Sequence, residues 1–126
     1  MTSTLSHQFR IGMSISAAII MAVLLILPSP AVAKSNIRTF AECISRSGAI
    51  FYGAHWCPHC ANQKVDFGKS AHRLPYVECY KDGTRTKLKQ CKEIRGFPTW
   101  VFADGSKKSG HLSIETLARR TGCPLP

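Results

Sequence analysis

The chain has 126 residues, 17 Lys and Arg against seven Asp and Glu, a net charge of +10 and six cysteines. That length admits one modest domain. The basic residues are scattered and accompany no nucleic-acid-binding motif, so nucleic acid is not an expected partner. The charge reads as a solvated surface that can hold the protein weakly against anionic lipid or an acidic partner.

Residues 1–33 stand apart. They contain no acid and one Arg, Arg10; Ile11 to Leu27 is almost wholly apolar; Pro28-Ser29-Pro30 breaks a helix; Ala31-Val32-Ala33 supplies a small-x-small pattern. These are the three parts of a secretory signal peptide, with cleavage expected after Ala33. An uncleaved membrane anchor is the alternative, because the run is long for a signal and short for a span. All six cysteines lie in residues 34–126, where export permits disulfides. The expected location is extracytoplasmic, a bacterial periplasm foremost and a thylakoid lumen second.

Residues 36–47 read as a helix with Phe40 and Ile44 on one face, ended by Gly48. Ala49 to Ala54 reads as a buried strand. A helix is expected from Cys57 to about Ala71, with Pro58 in its first turn and Val65 and Phe67 as its larger apolar residues. Tyr76 to Tyr80 reads as a second strand, followed by a Lys81-Asp82-Gly83-Thr84 turn. Leu88, Cys91 and Ile94 recur at helical spacing, which predicts a helix over Arg85 to Ile94. Trp100 to Phe102 and Lys107 to Gly110 read as a hairpin, and Ser113 as the cap of a last helix ending near Gly122. A crossover unit followed by a hairpin predicts an α/β fold: a mixed four-stranded sheet flanked by helices, with an extra helix at the N-terminal end of the 34–126 domain.

Cys57-Pro58-His59-Cys60 carries the chemistry. Two sulfurs at this spacing can share one disulfide, and a helix starting at Cys57 would stabilise a thiolate there through its free N–H groups. An attacking thiol beside a resolving thiol is the core of disulfide exchange. His59 can tune the Cys57 thiolate by charge and hydrogen bonding. A structural bridge or part of a metal site is the alternative; His55, Cys57, His59 and Cys60 are copper(I) or zinc ligand types. No second ligand pair stands beside the motif, so no metal or other cofactor is expected, and His55 reads as a surface residue. A Cys79–Cys91 bridge would close a loop of roughly a dozen residues, worth about 3 kcal/mol, either as a structural tie or as a second redox relay. Cys43 and Cys123 lie near the two ends of the domain and can tie them together. The four cysteines outside the motif admit three connectivities, and spacing does not choose among them.

Trp56-Cys57-Pro58-His59-Cys60 after an apolar strand, with Gly96-Phe97-Pro98-Thr99 before the third strand, resembles the thioredoxin superfamily. The resemblance implies a thioredoxin fold and a cis Pro98 against the reactive pair. It also implies a substrate strand pairing with backbone beside Pro98, with Trp56 and Phe97 at its edge. Phe51 through Cys60, Tyr76-Val77-Glu78-Cys79, Cys91 and Gly96 through Trp100 together are similar to the thioredoxin-like domain fused to bacterial and plant homologues of vitamin K epoxide reductase. That likeness implies a Cys79–Cys91 pair; the four-helix membrane part of those fusions is not in this sequence, so a free-standing domain with a separate membrane redox partner is expected.

Two departures from thioredoxin bear on direction. Phe51 stands where thioredoxin has a buried acid, and the dipeptide between the cysteines is Pro-His, as in a periplasmic oxidant. Both favour donating disulfides to exported proteins. A reductase or isomerase fed by a membrane electron donor is the alternative, and a metal-delivery protein a minor one.

Overall fold

A computed structural model describes residues 36–126. The apolar leader and its expected cleavage site lie outside the described residues. The elements are α1 (Ile37–Arg46), β1 (Ile50–Gly53), α2 (Pro58–Val65), a 3-10 segment (Gly68–Arg73), β2 (Tyr76–Glu78), a 3-10 turn (Lys89–Cys91), β3 (Thr99–Val101), β4 (Lys107–Ser109) and α3 (Ile114–Thr121). Among the described residues no helix is long and apolar enough to cross a membrane.

The helix starts follow local chemistry. Asn36 caps α1 by accepting the Thr39 N–H, and Ser113 caps α3 by accepting the Thr116 N–H, each satisfying a donor that the first turn leaves free. α1 buries Phe40, Ala41 and Ile44, the face its periodicity marks. α2 buries Cys60 and Gln63, with Phe67 continuing that stripe into the core.

The sheet runs β2-β1-β3-β4, with β1 and β2 parallel and the other two pairings antiparallel. This is the mixed four-stranded sheet flanked by helices of a thioredoxin fold. In register, Phe51 of β1 sits between Tyr76 and Trp100. Its ring stacks on Trp100 at 4.7 Å and meets Tyr76 edge-on at 5.1 Å. Phe40 and Phe67 stack nearby at 5.9 Å. Rings of this size supply most of the burial energy that so small a core can gather. A second, smaller core joins Cys79, Cys91 and Ile94 to Tyr52, Val77 and Val101. Tyr52 and Val77 alternate with Phe51 and Tyr76 along their strands and so lie on the other face of the sheet.

Two expected helices differ. The helix from the cysteine motif does not run unbroken to Ala71. It ends at Val65, and Gly68, at φ +50°, turns the backbone left-handed where a 3-10 segment begins, a conformation glycine adopts without steric cost. Val65 accordingly faces solvent, 73% exposed, while Phe67 is buried. Over Arg85 to Ile94 only the short turn Lys89–Cys91 is helical. The backbone here folds back on the residues just after β2: Lys81 N–H bonds Thr86 O, Leu88 N–H bonds Cys79 O, and Tyr80 bridges Lys87. Those bonds, with the Cys79–Cys91 link, override a helical spacing that Thr84 and Thr86 support poorly.

Candidate active site

Cys57 is the N-cap of α2, at the end of the loop that leaves β1. Its sulfur accepts the Cys60 N–H at 3.4 Å and lies 3.5 Å from the carbonyl oxygen of Phe97. Pro58 occupies the first turn of α2, where its missing N–H leaves no bond unmade. A thiolate at Cys57 would therefore face the Cys60 N–H and the positive end of the helix. Cys57 and Cys60 are both free thiols. Burial pushes the Cys60 thiol up to about 12, with its hydrogen bond to Cys57 adding to the effect. A Cys60 that keeps its proton can stabilise a neighbouring thiolate and stays in reserve as the resolving group.

The Phe97–Pro98 peptide bond is cis, and Pro98 is fully buried. It leads into β3, whose partner β1 feeds the loop carrying Cys57, so the two motifs meet through one pair of strands. Among the described residues the Phe97 N–H has no hydrogen-bond partner. Beside it stands an aromatic triad: Trp56, Tyr80 and Phe97 meet edge-on with centroids 5.3 to 6.2 Å apart. Trp56 is 39% exposed, so it forms a rim to the site and not a core.

His59 is exposed, and its imidazole makes no hydrogen bond among the described residues. The exposed His55 has its ring Nδ1 3.6 Å from Glu78 Oε1. Among the described residues no group of three or more His, Cys, Asp or Glu side chains could hold a metal ion.

Disulfides link Cys79 to Cys91 and Cys43 to Cys123, with Cα atoms 5.5 and 5.9 Å apart. Cys79 and Cys91 have no exposure at all, so a relay through them would require the loop to open. Cys43–Cys123 fastens α1 to the residues after α3.

Sequence reasoning passed over Glu78, Tyr76 and Gln63. Glu78 Oε1 accepts the backbone N–H of His55 and of Tyr80, each at 3.1 Å, and Oε2 accepts the Tyr76 hydroxyl at 2.7 Å. One carboxylate thus holds the loop before Trp56, the start of the Cys79–Cys91 loop and a strand side chain. Burial acts to raise the Glu78 carboxyl, but the bonds from Tyr76, Tyr80 and His55 outweigh it and hold the group below its ordinary range. Burial, then the Glu78 carboxylate, pushes the Tyr76 hydroxyl far upward. Tyr76 lies across Gly53, where a Cβ would come 2.4 Å from its ring. Period-2 alternation puts Tyr76 and Glu78 on one strand face, the one signal that could have found them. Gln63 is fully buried; it accepts from Trp100 Nε1 and Leu112 N–H and donates to Leu112 O.

No protein-family model matches the chain. It is similar to thiol-disulfide oxidoreductase LTO1 of Arabidopsis thaliana, 45% identical over 91 residues, 68% of this chain and 24% of that protein. It is also similar to a probable protein disulfide-isomerase ER-60 of Schistosoma mansoni, 29% identical over 69% of this chain and 19% of that protein. Protein disulfide-isomerase A3 of Gallus gallus is 28% identical over 70% of this chain and 18% of that protein. The chain therefore spans about a quarter or less of the length of these relatives. The fold, the Cys-x-x-Cys pair facing a cis-proline and these relatives together support the thioredoxin superfamily as the family of the described residues 36–126.

Proposed function

We propose that residues 34–126 form a protein thiol-disulfide oxidoreductase that donates disulfides to exported proteins. The observation that carries this reading is the seat of Cys57: capping a helix, bonded by the Cys60 N–H and set against the backbone of Phe97. All three named relatives are disulfide oxidoreductases or isomerases. In the oxidised state a substrate thiolate attacks Cys57 sulfur. The Cys57–Cys60 bond breaks, a substrate–Cys57 bond forms, and Cys60 leaves as a thiolate that takes up a proton. A second substrate thiolate then attacks the substrate sulfur of this mixed disulfide and displaces Cys57. The substrate dithiol is oxidised and the Cys57–Cys60 pair reduced. The unpaired Phe97 N–H beside Pro98 is suited to align the substrate backbone as an added strand.

The reduced pair needs an electron acceptor. A separate membrane protein of the vitamin K epoxide reductase type is the partner in this reading, with residues 1–33 as the export signal or anchor. The likeness to two disulfide isomerases supports a second reading, an isomerase or reductase supplied with electrons from the membrane. The two separate on substrate. Donation predicts that the oxidised protein restores activity to a reduced, unfolded exported enzyme and that insulin reduction is weak. Isomerisation predicts rescue of a scrambled disulfide protein by the reduced form. Full activity in a Cys57→Ser variant would overturn both.

A further inference from the structure

The loop closed by Cys79 and Cys91, with the few residues beyond it, carries charge that disulfide exchange does not itself require. Residues 81–95 contain six Lys and Arg against Asp82 and Glu93, and all six cations are exposed. Among the described residues none of the six forms an ion pair. Two of them lie against the aromatic rim of the site. The Arg85 guanidinium sits 4.8 Å over the Trp56 ring, and the Lys87 ammonium lies 5.9 Å from the centre of Phe97 while donating to Ile94 O. Those rings adjoin the reactive thiol, because Trp56 precedes Cys57 and Phe97 O lies 3.5 Å from its sulfur. The cations also stand on a fixed frame of the disulfide, the Tyr80–Lys87 bridge and the bond from Leu88 N–H to Cys79 O.

We propose that this disulfide-closed basic loop is a docking surface for acidic polypeptide, so that the preferred substrates carry Asp or Glu beside the cysteine that meets Cys57. The proposal rests on the disulfide-exchange reading and names its substrate class. An unpaired cationic border beside a reactive thiol raises the local concentration of an acidic segment and orients it on encounter. It also offsets a handicap of such substrates, whose own carboxylates disfavour the attacking thiolate. Anionic lipid would meet the same charges, but lipid seated on this rim would cover Cys57, so a polypeptide occupant fits the geometry better.

The test uses the oxidised protein and two dithiol peptides that differ only in acidic or basic residues flanking the cysteines. The acidic peptide is expected to reduce Cys57–Cys60 about tenfold faster at low salt, with the ratio falling toward one as salt screens the charges. Arg85→Glu with Lys89→Glu should abolish the preference. Lys107→Glu with Lys108→Glu, the same charge change on exposed β4, should keep it, and thermal melts check that both double variants fold. Equal rates for the two peptides would overturn the proposal, as would equal loss of preference in both double variants. So would protection of Cys57 by phosphatidylglycerol vesicles without peptide discrimination. Failure to react with either peptide would instead overturn the exchange reading beneath it.

Discussion

The fold shifts the ionisation of Cys60 and of Glu78 in opposite directions, and each makes stability depend on pH. The Cys60 thiol is raised from an ordinary 9.0 to about 12, chiefly by burial. The folded reduced protein therefore binds the proton more tightly than the unfolded chain. Its contribution to stability is full below about 9 and is lost as pH rises toward 12. The reduced form should lose stability across that window, and a Cys60→Ala variant should lose less there. Glu78 shifts the other way, held below its ordinary range by the bonds it accepts. Its contribution is present above the unfolded carboxylate range and is lost as pH falls through the folded value. Glu78→Ala, which frees three donors, should destabilise the protein by about 2 kcal/mol at neutral pH. The difference between wild type and Glu78→Gln should shrink in acid, as read by denaturant melts at a series of pH values. A gap independent of pH would contradict the role given to this carboxylate.

Much of the element order was legible because the signals were local. Asn36 and Ser113 mark helix starts, short apolar runs mark β1 and β3, and Asp104-Gly105 marks the β3–β4 turn. Cys57, Cys60, Phe97 and Pro98 were legible as motifs, and the β1–β3 pairing is what brings them together. Reading failed where a long-range bond outweighed a local pattern. Leu88, Cys91 and Ile94 have helical spacing, yet their segment is held as a loop by backbone bonds to Cys79 and Lys81, just past β2, and by the Cys79–Cys91 disulfide. Gln63 was missed because its partners Trp100 and Leu112 are distant in sequence, and Glu78 because its link to the active-site loop runs through His55, 23 residues away. Gln63→Leu keeps the volume but strands the Trp100 N–H and both Leu112 backbone groups. It should lower stability by about 3 kcal/mol, a loss that denaturant unfolding would detect and that a neutral result would refute.

Stability in so small a domain depends on its covalent ties as well as on its core. Cys43–Cys123 spans 80 residues and Cys79–Cys91 spans 12. In the chain-entropy picture their loss costs about 4.5 and about 3 kcal/mol. The double Ser variant of the first pair should melt well below wild type and keep the reactivity of Cys57. The double Ser variant of the second should loosen the loop that carries Tyr80 and Arg85, and so slow exchange as well as lower stability. An unchanged exchange rate in that variant would show that the loop plays no part in the site.

The proposed role of Cys57–Cys60 as a disulfide donor rests on Cys57 capping a helix and on Phe51 in place of an acid. The pair's reduction potential, measured by equilibration with a glutathione buffer and quantified by thiol trapping, tests this most directly. A value well above the thioredoxin level of about −270 mV, toward the roughly −120 mV of a strong periplasmic oxidant, is the predicted result. A value at or below about −270 mV would contradict it and make the protein a reductant.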